Sequence, residues 1–249
     1  FDINKFKKFK DKIIYIIVEN QPDNILELSN SDTKDRKGEK LILNGMARDY
    51  FQRENLSKGL KDAVGDDLIL ISDLDEIPNL NKLNFNEIKN NIIIFEQKMF
   101  YYKLNLFYES FIWHGTKGCK KKHLISPQWL RNIKAKKYPG WRVDLFFSKK
   151  KYSNLIFVNN GGWHFTYLKT PEELKEKLLN FAHHYEFEKS GLKIDDIKKF
   201  MDEKRVIYDH NIDQKKYKWS GEMKLHKIEE NHLPTYVVSN KEKYKLWFD

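Results

Sequence analysis

The sequence predicts an α/β fold: one domain, residues 1–249, around a central mixed, mostly parallel sheet. Three observations carry that expectation. Residues 68–71 are an unbroken apolar run, the pattern of a strand buried on both faces. The run ends in Asp73, Asp75 and Glu76, and Pro78 stops regular strand. Helical spacing precedes it over residues 45–64, through Met46, Tyr50, Leu56, Leu60 and Val64, with Gly65 as the stop. With the apolar run at 12–18, this order reads as a βαβ unit.

The other elements follow from local pattern. Residues 19–40 are polar and read as a long loop, and 84–91 as a short helical piece capped by Asn84. Residues 92–96 and 99–106 read as successive strands rich in Ile, Phe and Tyr. Residues 107–142 read as loop, and 143–147 and 155–158 as short strands. Thr170, Pro171 and Glu173 form a capping box at a helix start, with Leu174, Leu178, Phe181, Ala182 and Tyr185 on its apolar face. A further helix is expected at 194–205, then a C-terminal extension, 206–249, packing on the core.

Composition narrows the function classes. Of the 249 residues, 40% are hydrophobic and 14% aromatic, which argues for a folded core over disorder. No apolar run approaches the roughly 20 residues that span a bilayer. No signal pattern is present either, so the expected location is cytoplasmic. The sequence opens at Phe1 instead of Met, as a trimmed piece of a longer chain would. Cys119 is the only cysteine, so one chain can form neither a disulfide nor a cysteine-based zinc site.

The net charge is +10, yet only six of the 46 basic residues are Arg, the side chain suited to bidentate phosphate and base recognition. Lysines are spread along the chain, with local runs at 5–12, 120–122, 134–137 and 149–151. They read as solvated faces, and no nucleic-acid partner is expected. A basic surface suits an anionic substrate, or peripheral contact with a membrane surface.

The chemistry centres on the acids after residue 71. The carboxyl ends of buried strands are where open α/β sheets bind ligands. If the chain stays extended there, Asp73 and Asp75 point to one side. Two hard carboxylates suit Mg²⁺ or Mn²⁺ with positions left for water and phosphate oxygens. The plainer alternative is a turn capped by Asp73 with the other acids solvated. Gly161 and Gly162 allow a tight turn or close backbone approach. They place His164 as either a ligand to metal or phosphate or a structural histidine. His183, His184 and Glu186 gather near the end of the helix begun at Thr170, where a solvated polar face is the simple reading.

Several of these residues, in this order, resemble glycosyltransferase family 17: Arg53-Glu54-Asn55, Gly59-Leu60, Asp66-Asp67 and Ile71-Ser72-Asp73-Leu74-Asp75-Glu76-Ile77-Pro78. Gly161-Gly162-Trp163-His164-Phe165-Thr166 is similar to the family's second signature, and Leu233-Pro234-Thr235-Tyr236-Val237 with Asn240 to its C-terminal one. The region 181–186 resembles the acidic helix end of bacterial relatives. The likeness runs from about residue 10 onward. It implies a GT-A fold, a Rossmann-like sandwich that here lacks the usual first strand. It also implies Mn²⁺ or Mg²⁺, a UDP-sugar donor (UDP-GlcNAc in the family) and a glycan acceptor. Asp75, Asp73 and His164 are then the metal ligands. Asp73, Arg53, Arg131, Trp163 and His164 bind the donor, with the two arginines neutralising its diphosphate. Glu76 holds the loop.

The expected chemistry is an inverting sugar transfer in which a carboxylate deprotonates the acceptor hydroxyl. Glu186 is the candidate base, with Asp144 and Glu109 as substitutes. Trp163, Tyr102 and Trp141 are candidate sugar-stacking rings. The competing readings are a basic nucleic-acid-binding protein and a metal-dependent phosphohydrolase using the same acids.

Overall fold

The computed structural model of the protein describes residues 2–89, 91–181, 184–211, 217–219 and 221–249. Among these, seven strands form one mixed sheet: β1 (Leu68–Ile71), β2 (Glu76–Pro78), β3 (Ile92–Tyr101), β4 (Leu106–Lys120), β5 (Leu155–Val158), β6 (Gly162–Thr166) and β7 (His226–Lys227). The order is β1-β4-β3-β6-β2, with β5 also on β3 and β7 also on β4. Only the β3–β5 and β3–β6 pairings are parallel; β1–β4, β3–β4, β2–β6 and β4–β7 are antiparallel. The α/β class stands, but the sheet is not mostly parallel.

Nor does the expected βαβ unit form. Residues 13–18 lie in no strand, with Ile14, Tyr15 and Ile17 exposed. They rest beside Gly59 and the helix α1 (Lys34–Asn55) instead of in the sheet. An apolar β-branched run has strand propensity, but a strand needs a neighbouring ladder to satisfy its backbone. Helix α1 also starts well before residue 45, capped by Thr33, whose side chain accepts from the Arg36 N–H. Gly38 reads as loop by propensity, yet a Cβ there would collide with the Tyr185 ring, so close packing calls for glycine inside this helix.

The largest departure is β4, a 15-residue strand where a loop is expected. It pairs with β3 through two register shifts, between Ile94 and Glu96 and between Lys98 and Phe100. Such irregularities bend a strand and increase its twist. The expected strand at 143–147 is instead a 3-10 turn over Val143–Leu145, while β5 matches its expected bounds. The short 3-10 piece Phe85–Glu87 is capped by Asn84 as expected.

The sheet must curl. A flat path from β1 to β2 crosses four strand spacings, about 19 Å. Five residue steps could cover at most about 18 Å fully extended, and here they contain a turn at 74–75. Curling brings the two edges together, so the acidic segment passes over β3 and β4.

Both faces are covered. Ile69 and Ile71 pack with Ile94, Leu130 and Leu155 beneath helix α2 (Pro127–Asn132). Leu68 and Leu70 face Leu83, Ile93, Phe95 and Val158 on the other side. Three further helices complete this part of the chain: α3 (Pro171–Asn180), α4 (His184–Ser190) and α5 (Ile194–Asp202). The Thr170–Glu173 capping box opens α3, and Leu174, Leu178, Phe187 and Ile197 pack on Met99, Tyr101 and Tyr108. Ala182 and His183 lie outside the described residues. Residues beyond 205 contribute Val206, Ile207, Trp219 and Leu225 to that same core.

Candidate active site

Where β1 ends, the chain turns. Glu76 N–H donates to the Asp73 carbonyl at 3.1 Å, and Asp73 N–H donates to Glu76 Oε2 at 3.0 Å. Asp73 and Asp75 therefore do not stand side by side on an extended strand. Each takes a different partner, although both border the same cleft.

Glu76 anchors the turn from below. Its side chain is fully buried and forms a two-pronged ion pair with Arg131, at 2.9 Å from Nη2 and 3.0 Å from Nη1. Trp113 Nε1–H donates to Glu76 Oε1 at 2.7 Å. Arg131 Nη2 also reaches Asp73 Oδ2 at 2.6 Å, and Nη1 donates to the Gly115 carbonyl. Arg53 Nη2 lies 3.2 Å from Asp73 Oδ1, while its Nη1 donates to Gln128 Oε1 at 2.6 Å. Both Asp73 oxygens are thus occupied by guanidinium groups. Arg131 is spent on Glu76 and Asp73, a structural brace in place of the expected diphosphate contact.

Lys117 holds this brace in place. Its ammonium donates to the Arg131 carbonyl at 2.7 Å and to that of Ile133, closing the end of α2. Burial, together with the Arg131 charge, pulls its pKa down to about 8.

Asp75 faces β6. His164 Nε2 is 3.4 Å from Asp75 Oδ1, and Phe165 N–H donates to the Asp75 carbonyl at 2.9 Å. Burial raises the Asp75 pKa, but the hydrogen bond and charge of His164, with Lys177 nearby, outweigh it and leave the net value below the ordinary one. His164 stacks on Trp113, centroids 4.5 Å apart and planes 19° from parallel. Its Nδ1 is buried and has no hydrogen-bond partner among the described residues. Gly162, at φ 137°, begins β6; a Cβ there would collide with the Ile77 carbonyl, so glycine is what lets β2 and β6 close around the turn.

These groups open into a cleft of about 740 Å³. Asp49, Arg53, Asp73, Asp75, Lys169 and Lys177 supply its charge, with Phe165 and Leu168 on the apolar wall. Asp49, Lys169, Lys177 and Trp113 escaped sequence reading. Asp49 and Arg53 stand four apart on α1, a spacing that shares one helix face. Lys177 lies on α3, and Trp113 fell in a stretch read as loop.

Other expected site residues lie elsewhere. Side chains alternate across β6, so Trp163 points away from His164. Its Nε1–H donates to the His232 carbonyl at 2.6 Å, and it borders a smaller cavity with Lys98 and Asn231. Tyr102 is core, its hydroxyl donating to the Arg205 carbonyl at 3.0 Å. Trp141 is exposed on a loop and is not among the described residues that line the cleft. Neither Glu186, on α4, nor Glu109, exposed on β4, is among the described residues that line the cleft. Asp144 is bound by Arg142 at 2.8 Å and Lys151 at 2.7 Å, which hold its carboxyl near 2. A carboxylate that binds protons so weakly is a poor base at neutral pH.

Among the described residues, no three His, Cys, Asp or Glu side chains converge as a metal cage. Asp75 and His164 offer two ligands. A Mg²⁺-type ion commonly takes one or two protein carboxylates and completes its shell with water and substrate phosphates. The donor set therefore fits a cation that arrives with a phosphate ligand, and it fits a free-standing metal site poorly. No helix among the described residues is long and apolar enough to cross a membrane. The chain matches no protein-family model, no curated protein and no solved structure.

Proposed function

We propose that the protein is a metal-dependent inverting glycosyltransferase of the GT-A type. It would move a sugar, N-acetylglucosamine from UDP-GlcNAc by the family resemblance, onto a glycan hydroxyl. The observation that carries this reading is the Asp73–Glu76 turn. Buried Glu76, paired with Arg131, braces it, and it presents Asp75, backed by the buried His164, to a cleft that also holds Arg53, Lys169 and Lys177. That combination suits a diphosphate and its accompanying cation.

In this reading Asp75 and His164 hold Mn²⁺ or Mg²⁺, which supplies positive charge against the departing diphosphate. Arg53, Lys169 and Lys177 neutralise the remaining phosphate charge. The acceptor oxygen bonds to the anomeric carbon as the bond to the diphosphate oxygen breaks. The acceptor proton goes to Asp49. Among the described cleft-lining residues, Asp49 is the one carboxylate not already committed to Arg53, Arg131 or His164.

Calorimetric titration of UDP is the test. Binding is expected with Mn²⁺ present, absent in EDTA, and weakened at least about tenfold in Asp75→Ala, the loss of one charged contact. Mn²⁺ alone is expected to bind weakly, because the protein offers too few ligands. Asp49→Asn is expected to keep UDP binding and lose about 100-fold or more in turnover with UDP-GlcNAc and acceptor. UDP binding indifferent to both Mn²⁺ and Asp75 would overturn the reading. Release of phosphate from a simple ester would favour the phosphohydrolase instead.

A further inference from the structure

A second surface stands apart from the cleft. Residues 139–151 form a loop on which four large apolar side chains face solvent: Trp141 at 82% exposure, Val143 at 68%, Phe146 at 81% and Phe147 at 87%. Surface apolar residues scattered singly need no explanation, but four within seven positions make a patch. The surrounding sequence, residues 134–151, carries seven basic residues against one acid, Asp144.

Polar contacts hold the base of the loop. Asp144 accepts from Arg142 Nε at 2.8 Å and from Lys151 Nζ at 2.7 Å, closing the base of the loop with its only negative charge. Arg142 and Lys151 also lie over the buried Tyr138 ring, at 5.5 and 5.8 Å from its centroid. Lys134 N–H donates to the Lys150 carbonyl at 2.8 Å, joining the two basic flanks. The 3-10 turn Val143–Leu145 lies within this clasp, and Trp141, Val143, Phe146 and Phe147 on and around it are all exposed. Lys134, Lys136, Lys137, Lys149 and Lys150, which flank the apolar residues in sequence, are exposed as well.

We propose that this loop is a docking element for an anionic membrane surface, its Trp and Phe side chains entering the interface and its lysines meeting acidic headgroups. Charge complementarity decides the partner. Trp and Phe insert at the headgroup boundary, and clustered Lys and Arg beside them add attraction to acidic lipids. A single-stranded nucleic acid fits less well. Val143 offers no ring for stacking, adjacent Phe146 and Phe147 are not spaced along a groove, and Arg142 is occupied by Asp144. The surface does not depend on the proposed chemistry of the cleft.

The test is sedimentation of the full chain with phosphatidylcholine vesicles and with equimolar phosphatidylcholine–phosphatidylserine vesicles. Binding to the acidic vesicles is expected, with little to the neutral ones. Phe146→Ser combined with Phe147→Ser should weaken it about 100-fold, the effect of removing two inserted rings. Lys149→Gln with Lys150→Gln should weaken it about tenfold on acidic vesicles only. Acyl-chain-brominated lipid should quench tryptophan fluorescence in the wild type and much less in Trp141→Phe. All of these positions are exposed, and unchanged circular dichroism would confirm that the variants fold. Equal binding to both vesicle types, or variants that bind like the wild type, would overturn the proposal. So would a loop that instead drives self-association or RNA binding.

Discussion

Replacing Glu76 with Ala is expected to destabilise the protein by about 3–5 kcal/mol, the usual cost of stranding one member of a buried ion pair. Glu76 has no exposed side-chain surface and Arg131 has 11%, so the guanidinium left behind could not rehydrate without opening the site. The same change leaves the Trp113 indole N–H without its acceptor and removes the side-chain bond from Asp73 N–H. Glu76→Gln should cost less, since an amide oxygen still accepts, although it provides no charge to Arg131. Asp73→Asn should cost less again, because Asp73 is more than a third exposed and its charge can be replaced by water. Urea denaturation of the three variants gives the ranking directly. A double replacement, Glu76→Leu with Arg131→Met, should lose less than the two single changes summed, the signature of direct coupling. If Glu76→Ala unfolds at the wild-type urea midpoint, Glu76 is not the brace described here.

The second large effect is on pH. His210 sits among aromatic rings, with Tyr101 hydroxyl 2.7 Å from its Nε2 and the Phe111 and Tyr208 rings 5.1 and 5.0 Å away. Burial, and then the charge of His164, push its pKa down from 6.5 to about 4; Lys218 acts in the same direction and Asp209 opposes. In the unfolded chain His210 takes a proton near pH 6.5, whereas in the folded protein it resists until about pH 4. Between those values the unfolded state binds more protons, so stability falls as the solution is acidified. The loss should reach about 3 kcal/mol by pH 4. Other histidines and carboxylates titrate over the same range, so the measurement is a difference. Unfolding free energies of wild type and His210→Phe should diverge between pH 7 and 4, the variant showing the shallower slope. Parallel slopes would mean that His210 takes up its proton at the same pH in the folded and unfolded protein.

The sequence by itself determined the features that depend on neighbours a few residues apart. The apolar run of β1, the acids that follow it, the Thr170–Glu173 capping box and strand β5 all rest on local period or local hydrogen bonding, and all are where the pattern put them. Only the tertiary structure decided features whose partners are remote in the chain. Strand β4 reads as loop because His114, Gly115, Lys117 and Gly118 are poor strand signals in isolation. Thr116 is satisfied by Ser72 and Gln97, and Lys117 by the carbonyls that end α2. Gly118 fits tightly under Leu70. The residues 13–18 fail in the opposite sense, with high strand propensity and no ladder to join.

The same division runs through the site. Asp73, Asp75 and His164 stood out because short signatures carry them, and the structure sets Asp73 and Asp75 at the cleft with His164 behind Asp75. Their individual partners were not legible. A turn in place of extended chain sent Asp73 to two arginines and Asp75 to a histidine, and β alternation turned Trp163 out of the cleft. Curling of the sheet brought Trp113 over Glu76 and His164. Glu76 is the exception: the resemblance gave it the part of holding the loop, and the turn is built on its buried carboxylate. A carboxylate's role is set by which charges and how much water surround it, and those are fixed only when distant segments meet.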